Sequence, residues 1–171
     1  MITFKYRLDG PGWANATLAN EQSETTIRAS YIRDAPEDFV DALLRLFAGT
    51  TAQCYWEEEP AIIEWKFRRD GTRLSVKACR DHPAEELFAG EDDFLHFCSE
   101  VDRALDALLD EWGAEGYLEQ WIRYGFPQEA HAKLKRGDQE RAAEPCYLEN
   151  RYSILSFSHE QQELCLMLRF C

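Results

Sequence analysis

The sequence lacks the common signatures of a catalytic site. It contains no GxSxG elbow, no phosphate-binding P-loop and no GxGxxG turn. The nearest match is "HEQQE" at 159–163, which has the first histidine and the glutamate of a zinc-protease box but not the second histidine. The sequence therefore predicts no catalytic residues, and we expect that the protein is not an enzyme.

Paired cysteines are also missing. The six cysteines, at 54, 79, 98, 146, 165 and 171, include no CxxC pair and fit no zinc-ligand spacing. We therefore predict no metal, no cofactor and no structural disulfide, with Cys54, Cys79 and Cys98 as small apolar residues. His96 and Cys98 are two positions apart and would not face each other on a helix. His131 lies in a polar stretch, and we expect it to be exposed.

Long apolar runs are absent as well. No stretch approaches the ~18 consecutive apolar residues of a membrane span. The first residues, "MITFKYRL", lack the charged and then apolar layout of a signal peptide, so we predict a cytoplasmic protein. A length of 171 residues with 45% hydrophobic residues is typical of a single domain, 1–171, with its own core.

Positive charge is scarce: 19 Lys and Arg stand against 32 Asp and Glu, a net charge of −13. This balance argues against nucleic acid as a partner, because binding phosphates requires Lys and Arg. It permits a basic protein partner, and it also has the simpler explanation of solubility. The excess is local, because residues 81–119 hold 13 Asp and Glu and one basic residue, a net of −12. Residues 62–80 hold six basic residues and two acids, a net of +4.

Alternation of apolar and polar residues predicts antiparallel strands. Residues 2–8 alternate, and "WANATLA" and "ETTIRASYI" read as two more strands. Residues 53–79 predict three strands, with Pro60 at a bend and a tight hairpin at Asp70-Gly71.

Apolar residues at helical spacing predict helices over 35–48 and 92–112, and a basic helix after Pro127 that ends at Gly137. Asp34 is expected to cap the first helix, and residues 91–93 to lie in the first turn of the second. The predicted fold class is α+β, an antiparallel sheet of five or more strands with helices packed on one face. The other, basic face is expected to be solvated.

The last part of the chain, 138–171, is interpreted as a C-terminal extension. Residues 138–146 are polar and predict a loop. "YSILSF" and "ELCLMLRF" then predict two strands, which could extend the main sheet or form a separate hairpin.

Two groups of carboxylates are the candidate partner-binding residues. Asp102, Asp106 and Asp110 recur at i, i+4, where like charges destabilise a helix by roughly 0.2–0.5 kcal/mol per pair. This spacing favours a face complementary to a basic protein, although a solvated face is the simpler interpretation. The second group is Glu57, Glu58 and Glu59. Paired carboxylates could also serve as a catalytic acid and base, or they could only protect a strand edge from aggregation.

The order "YRLDGPGWANATLA", "ASYIRDAPEDFVDALLRLFAG" and "CYWEEEPAIIEWKFRRDGTRLSV", followed by "AEGYLEQW", resembles a widespread family of small, uncharacterised bacterial cytoplasmic proteins over residues 1–135. In size and acidity the chain also resembles immunity proteins of bacterial toxin systems, including contact-dependent growth inhibition. That second resemblance implies an immunity protein that binds and neutralises a cognate toxin domain, itself basic, without catalysis. The alternative is a cytoplasmic binding or regulatory module with another partner.

Overall fold

The computed structural model describes the backbone of residues 1–142 and the side chains of residues 1–137. The two strands predicted after residue 146 lie outside the described residues. The elements, in chain order, are β1 (Thr3–Leu8), β2 (Trp13–Ala19), β3 (Glu24–Ser30), α1 (Ala35–Arg45), β4 (Thr51–Glu57), β5 (Ile62–Asp70), β6 (Arg73–Arg80), β7 (Glu85–Asp93), α2 (Phe94–Trp121) and α3 (Gln128–Ala142).

The first three strands form an antiparallel sheet in the order β1-β2-β3. Phe4 is opposite Leu18, and Ala16 is opposite Ile27, so the buried side chains of the three strands share one face. Successive side chains of a strand point to opposite faces of the sheet, and only one face of this sheet is buried. The predicted alternation is therefore confirmed.

The other four strands form a second antiparallel sheet in the order β4-β5-β6-β7. Asp70 pairs with Arg73 across the predicted Asp70-Gly71 hairpin, where Gly71 takes a positive φ of 59°. The last strand, β7, was not predicted. Its sequence, "EELFAGEDD", buries only Phe88 and Asp92, so it carries almost no alternating apolar signal.

The prediction of one sheet with five or more strands was therefore wrong in its connectivity, although the α+β class and the antiparallel pairing are confirmed. Helix α1 intervenes between β3 and β4, and these two strands share no ladder. Side chains bridge the sheets instead: the Thr25 hydroxyl donates to the Leu87 carbonyl at 3.0 Å. An alternating pattern indicates which face of a strand is buried but not which distant strand lies beside it.

The predicted helices are present with different limits. Asp93 accepts hydrogen bonds from the backbone N–H groups of Leu95 and His96, so α2 begins after the acidic residues 91–93, which belong to β7. The backbone bends at Gly113, whose φ of 63° and ψ of 173° are open only to glycine, and the helix then continues to Trp121. Helix α3 also continues past Gly137 to Ala142, so residues 138–142 are helical rather than the predicted loop.

Phe39 of α1 lies at the centre of one hydrophobic core that joins both sheets to the helices. Its ring centroid is 5.2 Å from that of Phe4 in β1, 5.0 Å from that of Trp65 in β5 and 6.3 Å from that of Phe97 in α2. Trp65 and Phe67 are both almost fully buried, because they lie on the apolar face of β5, where apolar and polar residues alternate. None of the helices among residues 1–142 is long and apolar enough to cross a membrane.

Candidate functional site

We call Asp102, Asp106 and Asp110 the predicted stripe. The first two of these carboxylates face α3. The Asp102 Oδ1 atom is 2.6 Å from the His131 Nε2 atom, and both side chains are largely buried. Lys135 donates to both carboxylate oxygens of Asp106, at 3.1 and 2.9 Å, and this contact raises the pKa of the lysine. The expectation that His131 is exposed was wrong, because α3 packs this residue against α2 and against the ring of Phe126. Asp102 and Asp106 therefore join two helices of the protein itself.

Beyond this contact, the exposed side of α2 is acidic and unpaired. We call residues 110–119 the acidic segment; its carboxylates, all exposed, are those of Asp110, Glu111, Glu115 and Glu119. None of the four makes a hydrogen bond or ion pair with any side chain among residues 1–137. The sequence from 104 to 122 contains no Lys, Arg or His, so this part of the helix supplies no compensating charge of its own.

Two of the three carboxylates at 57–59 are held by arginines. The Glu57 Oε1 atom is 3.3 Å from the Arg33 Nε atom. Glu58 accepts two hydrogen bonds from Arg80, at 2.6 and 3.1 Å. Glu59 is exposed in the turn after β4, with a positive φ of 42°. These residues thus form a strand end with local ion pairs, and Glu59 alone of the three has no described partner.

The outward face of the four-stranded sheet carries the predicted basic patch. Lys66 lies directly opposite Lys77, an arrangement that is unfavourable without counter-charges. Counter-charges are present: Lys66 pairs with Glu64 at 2.8 Å, and Lys77 with Glu86 at 3.2 Å. Arg73 pairs with Glu91. Two open surface grooves lie on this face, and the carboxylate that lines both of them is that of Glu91, which is bound to Arg73. The basic face is solvated, as predicted, and largely neutralised.

One cluster offers atoms of the kind that bind metal ions. Asp102, Asp106 and His131 each present a ligand atom, and these atoms lie within 4.8 Å of one another. The Lys135 ammonium group already binds Asp106 and lies 3.8 Å from the Asp102 Oδ1 atom. A metal ion would have to displace this lysine, since both cations would use the same oxygens. The prediction of no metal stays untested.

A buried polar cluster lies where α1 begins. Asp34 occupies the position before the helix, as predicted, but its side chain makes no capping hydrogen bond. Burial raises its pKa to about 6 and repulsion from Glu37 and Asp38 adds to this, while the backbone N–H of Glu37 and the side chain of Trp121 act in the opposite direction. The atoms Tyr6 Oη and Tyr117 Oη are buried and, among the described residues, have no hydrogen-bond partner. Burial, reinforced by the charge of Asp34, also raises the pKa of Tyr117.

The chain matches no protein-family model, no curated protein and no solved structure. The structure divides the predicted stripe: Asp102 and Asp106 contact α3, whereas Asp110 lies with Glu111, Glu115 and Glu119 in the acidic segment. The last three were not predicted, although the absence of basic residues from 104 to 122 was a signal for them.

Proposed function

We propose that this chain is an immunity protein that binds a basic bacterial toxin domain and neutralises it without doing chemistry. The observation that supports this proposal is the acidic segment, which presents four exposed carboxylates and no described cationic partner. On the four-stranded sheet, by contrast, the charged groups are mostly paired, as Glu58 is with Arg80 and Arg73 is with Glu91.

The chemistry of such a partner explains the arrangement. A domain that acts on nucleic acid needs Lys and Arg around its phosphate-binding cleft. An acidic surface can occupy that cleft and exclude the substrate. Complementary charges also raise association rates toward about 10⁸–10⁹ M⁻¹s⁻¹ at low salt, which suits a protein that must intercept a toxin quickly.

Co-expression tests the function directly. The protein would be produced in bacteria together with each basic domain encoded by the genes beside its own. We expect one of these domains to stop growth alone, growth to be restored by this protein, and the two proteins to purify as a complex. If no neighbouring basic domain is both toxic and neutralised, the immunity proposal is wrong.

Charge-neutral variants then test the surface. In the complex from the co-expression experiment, Glu111→Gln, Glu115→Gln and Glu119→Gln together should slow association at low salt and leave dissociation nearly unchanged. The matched control is Glu21→Gln, Glu24→Gln and Asp70→Asn, which removes the same number of exposed charges from other surfaces. Equal association rates for the two triple variants would show that the acidic segment only solvates the helix.

A further inference from the structure

The end of α2 has an unusual backbone. Ile122 takes a φ of 70° and a ψ of −51°, and the Arg123 N–H donates to the Trp121 carbonyl at 2.8 Å. This is a γ-turn with a positive φ at its central residue, a strained conformation that is rare in proteins. Helices that end in a left-handed residue normally use glycine or asparagine there, and a β-branched side chain is a real outlier.

Contacts of the Ile122 side chain within the protein offset only part of this backbone strain. Its Cδ1 atom and the Tyr31 ring meet over Gly12, where an added Cβ would be 2.9 and 2.6 Å from them. Even so, 50% of Ile122 stays exposed. A smaller residue would end the helix with less strain. The contacts within the described fold therefore do not explain why a half-exposed isoleucine occupies this position.

Two more exposed apolar side chains lie on the segments that meet here. Leu118 is one turn before Ile122 on α2 and is 45% exposed, and Ile32, also 45% exposed, follows Tyr31 in the chain. The Tyr124 hydroxyl donates to the Ile32 carbonyl at 3.3 Å, which holds the two segments together. We call Ile32, Leu118 and Ile122 the apolar patch; apart from Met1, they are the large apolar side chains that are exposed among residues 1–137.

The apolar patch adjoins the acidic segment. Glu115 and Glu119 are one turn apart on the same part of α2 that carries Leu118, and both are exposed. Two cations lie nearest in sequence. Arg33 pairs with Glu57, whereas the exposed Arg123 guanidinium lies 5.4 Å from the centroid of the Tyr124 ring and keeps its charge, which the four carboxylates of the acidic segment outnumber. The surface therefore combines an apolar centre with negative charge beside it, an arrangement typical of protein interfaces.

We infer that the apolar patch is the anchor of the docking surface, and that its occupant is a basic protein segment carrying apolar or aromatic side chains between its cations. This inference rests on the proposed function and names the surface through which it acts. Charge complementarity selects the occupant: carboxylates stand beside the patch, and the residues from 104 to 122 add no positive charge. A second copy fits less well, since the basic sheet face that could meet this surface is largely neutralised by Glu64, Glu86 and Glu91.

A synthetic probe tests this surface without a toxin. The full-length protein would be titrated with a short lysine peptide that contains phenylalanines and, separately, with a lysine-only peptide of equal charge, while amide shifts are followed by NMR. We expect the phenylalanine peptide to bind about tenfold more tightly than the lysine-only peptide. We also expect the shifts to fall on residues 110–122 and on Ile32.

Two variants separate anchoring from folding. Leu118→Ala and Ile122→Gly should each reduce the affinity for the phenylalanine peptide about tenfold and leave that for the lysine-only peptide unchanged. Ile122→Gly relieves the backbone but also removes the contact with Tyr31 over Gly12, so these two effects should largely offset each other in its melting temperature. The charge variant Glu115→Gln, Glu119→Gln should weaken both peptides, whereas its matched control, Glu21→Gln, Glu24→Gln, should weaken neither.

Several results would overturn the inference. Shifts confined to Glu57–Glu59 or to the basic sheet would place the docking surface elsewhere. Absence of binding at low salt would mean that the patch is covered or inert. Self-association in sedimentation experiments that Ile122→Gly abolishes would make a second copy the occupant. If the peptides behave as expected but no neighbouring toxin is neutralised, the surface stands and the immunity proposal falls.

Discussion

A single carboxyl group, that of Asp34, is the clearest example of a residue whose environment opposes its charge. Its neighbours include the buried polar atoms of Tyr6, Tyr117 and Trp121. Removal from water is the largest of the influences that raise its pKa from 3.8 to about 6. The native state therefore binds this proton more tightly than the unfolded chain does.

This shift has a defined sign for stability. Because the folded pKa is the higher one, the contribution of Asp34 is most favourable below about pH 4 and is lost as the pH rises through about 6. Asp34→Asn should therefore raise the melting temperature above neutral pH and flatten its pH dependence between about 4 and 6. Thermal melting of both proteins across this range gives the comparison. An equal pH dependence in the variant would mean that Asp34 is well solvated.

At the scale of elements, α3 is joined to α2 by a charged contact. His131 meets Asp102 where both side chains are largely buried, and Lys135 meets the more exposed Asp106. Loss of one partner of a buried charge-assisted hydrogen bond is more costly than loss of an exposed ion pair. Asp102 therefore contributes more to the stability of the fold than Asp110, the third residue of the stripe.

Asp102→Ala and Asp110→Ala form a matched pair on one helix. Both replace aspartate by the best helix former, so the gain in helix propensity is shared. We expect Asp102→Ala to be less stable than Asp110→Ala by about 1.5–3 kcal/mol, the range for hydrogen bonds to charged groups. Urea unfolding of the two variants measures the difference. Equal midpoints would show that the contact with His131 contributes little.

Sequence patterns predicted some of these elements and missed others, and the difference has a physical reason. The β5–β6 hairpin was predicted because Ile63, Trp65 and Phe67 alternate with polar residues before Asp70-Gly71. Strand β7 was missed because pairing with β6, rather than burial of its own side chains, holds it in the sheet. The contact between Asp102 and His131 joins residues 29 positions apart, and no local period encodes such a contact.

At the scale of the whole molecule, one core holds two sheets that share no ladder. The link is aromatic: Phe39 contacts Phe4 of the first sheet and Trp56, Trp65 and Phe67 of the second. Strand and helix periodicity predicted Phe4, Phe39, Trp65 and Phe67 on apolar faces, but it did not single out Trp56. It could not predict that a single ring joins the two sheets, because that depends on the tertiary arrangement.

Phe39→Ala should therefore weaken the whole described fold. Truncation of a fully buried phenylalanine costs about 3–5 kcal/mol. We expect amide protection to fall by a similar factor in β1 and in β5, because both strands depend on the same core. Hydrogen exchange followed by NMR resolves the two strands. Loss of protection in β1 alone would indicate that the sheets unfold as separate units.

The division of α2 at Gly113 also affects how such a protein can change over generations. The carboxylates before the bend at 102 and 106 are committed to α3, so their substitution disturbs folding. Three acidic-segment residues, Glu111, Glu115 and Glu119, make no described contact with a charged side chain, and the bend separates the last two from the α3 contact. Under the proposed function, substitutions there would follow a changing toxin partner at little expense to stability, so diversification between rival strains would concentrate in the acidic segment.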